Sequence, residues 1–258
     1  MNPRLLRPLA SEVPRRFGNL ELWFDASSVG LMAQNSNGTT AVAANDDPVG
    51  FWRDKSGNER HARQTINNNR PALKLADKNG RPGLDFDGSN DFFLCDSGAD
   101  FAAECAIIVL RRTGNPAGYA AVFAHNTTSN VAGIEVSAQD FAVTQPSGVV
   151  GHLYGLQGSA GLMRQNGTVI TPTNSGFFNL FSANLLPNTT DTNVICVQGN
   201  ITNTVGTQHP LVGLDAFSAT RVYPMRLYEL LIYSVIPSTA QLQMIEGYLG
   251  QKWGITIA

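Results

Sequence analysis

The side chains that could do chemistry are spread along all 258 residues. Glu21, Glu59, Glu104, Glu135, Glu229 and Glu246 stand far apart in the chain. Glycoside hydrolysis needs two carboxyl groups facing one bond across roughly 5–9.5 Å, and no short segment holds such a pair. Glu229 lies in an apolar run with Leu227 and Leu231 two residues to either side. In a strand, those leucines rather than a second carboxylate share its face. His61, His125, His152 and His209 lack the spacing of a local metal site. The chain has no nucleophile elbow, phosphate-loop lysine or dinucleotide glycine pattern. The expectation is a chain that is not an enzyme. A hydrolase assembled from distant carboxylates is the minor alternative.

Binding chemistry has more support. Asp87, Asn90 and Asp91 make an oxygen-rich turn, and Asn45, Asp46 and Asp47 make another. Hard oxygen donors of this kind suit calcium, but the same residues also build plain Asx turns. Trp52 stands next to a polar turn containing Asp54, Ser56, Gly57 and Asn58. One reading makes this a glycan-binding loop with Trp52 as platform and Asp54 and Asn58 as polar contacts. The other makes it a turn whose tryptophan fills the core.

Elements that could position these groups are mostly strands. Charged residues make up only 15% of the chain, while Gly (25) and Pro (13) are frequent, as in strands joined by many turns. Leu20–Phe24 opens the regular structure, with Leu20, Leu22 and Phe24 expected on one face. Asn79-Gly80, Asp87-Gly88 and Asn166-Gly167 separate short apolar runs, which is a hairpin signal. Residues 106–110 form a continuous apolar run suited to a strand covered on both faces. Further short strands are expected at 120–124, 133–136, 153–156 and 194–197, and a long one at 226–233. After Pro237, Ser238 and Gln241 match a capping box. Leu242, Ile245, Leu249 and Trp253 then share a helical face, and Gly254 supplies the stop.

Cys95, Cys105 and Cys196 form no paired motif, so buried free thiols are expected. The net charge of −2 gives no general pull toward nucleic acid or anionic membrane, and no apolar run is long enough to span a bilayer. Residues 1–19 carry Arg4, Arg7, Arg15 and Arg16 among prolines, without the apolar segment of a signal peptide. They read as an extended arm preceding one domain over 20–258. Phe177, Phe178 and Phe181 mark either a segment crossing the core or an apolar patch covered by another subunit.

Three blocks together resemble the concanavalin-A-like (laminin-G-like) superfamily, in a group found in phage virion proteins and environmental bacteria. The first runs from Leu20 to Ala26 and continues with Trp52–Asn58 and His61-Ala62. The second joins Asn79-Gly80-Arg81-Pro82 to Asp85–Gly88 and Asp91-Phe92. The third is Tyr228–Tyr233 with Gln243–Ile255. The resemblance implies an all-β antiparallel sandwich of the jelly-roll type, here with an N-terminal arm and one short C-terminal helix. It also implies a calcium ion on loop oxygens, for which Asp87, Asn90 and Asp91 are the candidates. The glucanases of this superfamily carry Glu-x-Asp-x-x-Glu on one strand, which this chain lacks.

The leading expectation from this resemblance is a phage virion structural protein, as capsid decoration or as a tail or fibre component. Such a protein would assemble in the host cytoplasm with major capsid or tail proteins, as a homo-oligomer such as a trimer. Arg4, Arg7, Arg15 and Arg16 would dock on a neighbour, and removing 1–19 would spare the fold. The alternative is a lectin-like module, extracellular or virion-borne, that binds a host-surface glycan.

Overall fold

The computed structural model describes residues 10–96, 101, 103–114, 119–125, 132–137, 162–170, 190–202, 210–214 and 222–258. Their strands, numbered in chain order, form two sheets in which every pairing is antiparallel. The first sheet contains β1 (Leu20–Asp25), β5 (Ala72–Lys78), β6 (Arg81–Phe86) and β8 (Ala103–Arg112). It also contains β11 (Leu162–Gln165), β12 (Thr168–Ile170), β13 (Asn193–Thr202) and β15 (Met225–Tyr233). Its order is β12-β11-β13-β8-β15-β6-β5, with β1 also pairing β15. The second sheet contains β2 (Met32–Ala33), β3 (Phe51–Trp52), β4 (Ala62–Arg63) and β7 (Phe93–Cys95). β9 (Tyr119–His125), β10 (Ala132–Ser137) and β14 (Pro210–Val212) complete it, in the order β10-β9-β14-β7-β4-β3-β2. The protein is an all-β sandwich with one short C-terminal helix, α1 (Thr239–Trp253).

The hairpins form where the turn chemistry predicts them. Asn79 and Gly80 link β5 to β6 with φ of 51° and 70°, and Asn166 and Gly167 link β11 to β12 with 49° and 85°. Asparagine and glycine reach this left-handed region at the least steric cost. Ser238 caps α1 through its side chain, Gln241 returns the bond to the Ser238 amide, and Gly254 closes the helix at φ 63°. Gly250 has a second reason to be glycine. A Cβ there would lie 2.4 Å from Ile257 Cγ1, so the chain after the helix packs directly on it. The predicted strand at 153–156 lies outside the described residues.

The first sheet is buried on both faces. Leu22 and Phe24 of β1, Ala106, Ile108 and Leu110 of β8, and Leu230 and Ile232 of β15 face the second sheet. Trp23, Cys105, Ile107, Val109, Leu231 and Tyr233 point the other way, onto Leu242, Ile245, Leu249 and Trp253 of α1. The molecule therefore has three layers: helix, sheet, sheet. Leu20 sits with the outer set rather than with Leu22, because the β1–β15 register slips between those two residues. All three cysteines are buried free thiols, and Cys105 Sγ lies 3.8 Å from Cys196 Sγ.

The N-terminal stretch departs from an extended arm. Ala10–Phe17 is a 3-10 helix, and Val13 and Phe17 pack on the outer core. The Pro14 carbonyl accepts 3.0 Å from the Tyr233 hydroxyl, and Arg15 Nε donates 2.9 Å to the Lys55 carbonyl. The prolines that bar regular α-helix permit this tighter turn, and burial of Val13 and Phe17 holds it against the domain. Arg15 therefore serves this domain, while Arg16 is exposed. Arg4 and Arg7 lie outside the described residues.

Candidate functional site

Strand alternation and one bulge bring together charges that the sequence separates. β1 turns Trp23 and Asp25 outward because Leu22 and Phe24 face inward. In β15 the register slips between Leu227 and Glu229. The bulge leaves Leu227 in the inner core but turns Tyr228 and Glu229 toward the helix. Re-aiming a side chain is what bulges do. Asp25 and Glu229 thus become cross-strand partners.

Glu229 is fully buried. Its Oε1 accepts 2.8 Å from Trp23 Nε1, and its Oε2 accepts 2.7 Å from both Trp253 Nε1 and Lys252 Nζ. Burial raises its pKa, the neighbouring Asp25 charge adds to that, and Lys252 opposes it. Lys252 Nζ also lies 2.7 Å from Asp25 Oδ1, so one ammonium bridges the two carboxylates. Asp25 Oδ2 takes a second ammonium, Lys55, at 2.6 Å. Burial alone would raise the Asp25 pKa, but Lys252 and Lys55 together hold it far below the usual carboxylate range. Ser27 and Ser28 donate to the same carboxylate, with Ser27 Oγ at 2.6 Å and Ser28 Oγ at 3.0 Å.

The turn that carries Lys55 is fixed to the free edge of β1. The Asp54 carboxylate accepts from the amides of Trp23 at 2.9 Å and Ser56 at 2.8 Å. Asn58 Nδ2 donates to the Leu20 and Glu21 carbonyls at 2.9 and 3.1 Å. An edge strand covered this way cannot pair with another chain. Lys55 Nζ then stands 4.1 Å from the Trp23 ring centroid, a cation–π distance.

Above these groups lies a cleft of about 400 Å³. Asp25, Lys55, Lys252, Ser27 and Ser28 line it. Tyr248 and Gln251, from the same helical face as Lys252, and Arg81 complete the lining. Arg81 follows the Asn79-Gly80 turn. Its Nε and Asn79 Nδ2 donate to the Lys252 carbonyl at 2.9 and 3.0 Å, at the electronegative end of α1. The two carboxylates are enclosed by donors, so they anchor cations and helix. The cleft offers an approaching ligand N–H donors, the Tyr248 hydroxyl and serine oxygens as acceptors, beside an aromatic ring.

The residues that the sequence singled out lie elsewhere. Trp52 is fully buried and packs on Phe24 at 5.0 Å and Phe93 at 6.2 Å between centroids. It is a core residue and cannot serve as a platform. Asp54 and Asn58 tie the turn to β1 and hold no ligand loop open. Asp87 Oδ1 accepts from the amides of Ser89 and Asn90, and Asp91 Oδ2 accepts from the Asp87 amide. This is an Asx turn, and among the described residues no cluster of three or more acidic, histidine or cysteine ligands forms. In the turn expected to take calcium through Asp87, Asn90 and Asp91, one carboxylate oxygen of each aspartate accepts a backbone amide. Phe177, Phe178 and Phe181 lie outside the described residues. Asp25, Lys55 and Lys252 were not singled out and Glu229 entered only as an isolated carboxylate, although all four fall inside the three blocks. The available signal was charge embedded in apolar strand and helix patterns.

No protein-family model and no curated protein matches the sequence. Among solved structures, the chain is similar to the Trypanosoma rangeli sialidase, at 11% identity and a TM-score of 0.43. That match covers 92% of this chain and 34% of the sialidase. A GH54 α-L-arabinofuranosidase matches at 12% identity and a TM-score of 0.40, over 78% of this chain and 50% of that one. The chain thus spans a third to a half of these proteins. The expectation that the chain is not an enzyme is corrected here, because both similar structures are glycosidases. A likeness this distant assigns this chain no activity.

Proposed function

We propose that this β-sandwich is a lectin-like module of the concanavalin-A-like kind that binds carbohydrate in the cleft between α1 and the Lys55 turn. The observation that carries this reading is the lining itself. Hydroxyls of Ser27, Ser28 and Tyr248, the Gln251 amide and the Tyr248 ring converge on a space of about 400 Å³. The serine oxygens act as acceptors because their protons go to Asp25. These acceptors, together with the tyrosine and amide donors around an aromatic surface, suit a polyhydroxylated ring whose C–H face stacks while its hydroxyls donate and accept. The cleft takes the place of the Trp52 turn in the original expectation.

The test is a glycan array probed with the intact chain and with Tyr248→Ala. Retention of a defined glycan class that Tyr248→Ala abolishes, with melting temperature preserved, supports the reading. If the intact chain retains no glycan, the reading is wrong. The likeness of the three sequence blocks to phage proteins favours a second statement about location: the module sits on a virion, as decoration or as part of a tail or fibre. Counting copies of this chain in purified particles by mass spectrometry tests it, and absence from particles rejects it.

A further inference from the structure

The cleft has a charge bias that a neutral sugar would not need. Lys55, Arg81 and Lys252 line it, against the single lining carboxylate of Asp25. Counting Glu229, which lies behind Lys252, the balance is still three cations to two carboxylates. Arg15 lies nearby, with its guanidinium 5.7 Å from the Trp23 ring and its Nε on the Lys55 carbonyl, but Glu12 at 3.5 Å offsets its charge. This local excess stands out in a chain whose net charge is −2.

The acidic groups in the cleft leave room for an anion. Asp25 receives both lysines and both serine hydroxyls, so its oxygens are engaged. Each ammonium spends two of its three N–H groups on described residues: Lys55 on Asp25 and Ser28, and Lys252 on Asp25 and Glu229. Arg81 places only its Nε on a described acceptor, the Lys252 carbonyl. Its two Nη groups form the part of the fork suited to a carboxylate or sulfate. The Tyr248 hydroxyl has no hydrogen-bond partner among the described residues and faces the same space.

We infer that the cleft selects a saccharide unit bearing an anionic group, a carboxylate or a sulfate ester, with Arg81 as the residue that sets this specificity. The inference rests on the carbohydrate reading and narrows it. Lys55 and Lys252 supply positive charge, Arg81 grips the anion, and the Tyr248 ring carries the sugar face.

Calorimetric titration of the intact chain with three probes tests this: tetragalacturonate, a sulfated galactan tetrasaccharide and neutral galactotetraose. At least one anionic probe should bind about tenfold or more tightly than the neutral one, as a charged hydrogen bond supplies. Raising salt from about 0.05 to about 0.5 M should weaken only the anionic binding. Arg81 is exposed, so Arg81→Ala should keep the wild-type melting temperature while erasing most of the preference, and Arg81→Lys should restore part of it. The tighter of the two anionic probes identifies carboxylate or sulfate as the group held. Equal affinity for the neutral probe overturns the inference and leaves the carbohydrate reading standing. So does an Arg81→Ala variant that keeps the full preference. Failure of all three probes, together with an empty glycan array, removes both.

Discussion

The two faces of the first sheet are held by different physics. The inner face meets the second sheet through apolar side chains, such as Leu22, Phe24, Phe86, Ile108 and Ile232 against Trp52 and Phe93. The outer face meets α1 through a similar apolar set with ions buried inside it. Glu229 is held by two indoles and Lys252, and Glu246 of α1 is held by Arg164 of β11 at 2.9 Å. An apolar interface accepts any arrangement that fills its space, whereas a buried charge accepts only the arrangement that satisfies it. The inner face thus supplies bulk stability, and the outer face fixes where the helix, and the cleft it borders, must sit.

The strongest way to break this comparison is Glu229→Ala. It strands the buried indole N–H groups of Trp23 and Trp253 and leaves Lys252 to Asp25 alone, and should cost about 3–5 kcal/mol in chemical denaturation. A loss below about 1 kcal/mol would mean that the outer face is held by apolar packing alone. Next is removal of residues 10–17, which deletes the Val13 and Phe17 contacts and the acceptor for Tyr233. It should destabilise by about 2 kcal/mol. An unchanged denaturation midpoint would restore the picture of a detachable arm.

A third test sharpens the comparison through pH. Asp91 lies at the edge of the second sheet, where burial raises its pKa from 3.8 to about 7, with the charges of Asp87 and Asp85 adding to the shift. The folded state keeps this proton where the unfolded chain has lost it. Asp91 therefore favours folding below about pH 4, and that contribution disappears as pH rises through about 7. Unlike Asp25 and Glu229, it has no cation paired with it among the described residues. Asp91→Asn keeps the acceptor for the Asp87 amide, so it should raise the melting temperature at pH 8 and leave it unchanged at pH 4. An equal effect at both values would remove the titration argument. The smallest effects, each about 1 kcal/mol, are expected for Ser238→Ala, which removes the helix cap, and for Ile108→Val in the inner core. A Ser238→Ala loss matching that of Glu229→Ala would make the helix start, rather than its buried ions, the determinant of docking.

The parts of this fold legible in the sequence are those whose cause is local. The Ser238–Gln241 capping box, the Gly254 stop, the Asn-Gly hairpins and the two-sided apolar strand at 106–110 each follow from a few adjacent residues. The cleft does not. Its residues come from β1, the Lys55 turn, the start of β6 and the last turns of α1, and the bulge that aims Glu229 at the helix leaves no mark in residue types. Leu231 does share the face of Glu229, but placing Leu227 there assumed unbroken alternation, and the register slip after Leu227 defeats that assumption. Trp52 was misleading for the opposite reason. Its neighbours are polar, yet the strand carries the ring into the core while the turn beyond it stays at the surface.

The pairing of β1 with β15 also has a consequence in time. Trp23 and Glu229 are 206 residues apart, so β1 leaves the ribosome long before its partner exists. At about 5–20 residues per second, the interval is roughly 10–40 s. Throughout it, Leu22, Trp23 and Phe24 have no sheet to join. A nascent chain holding such a strand open depends on being shielded, and its yield in a cell should respond to the supply of holding chaperones more than to growth temperature.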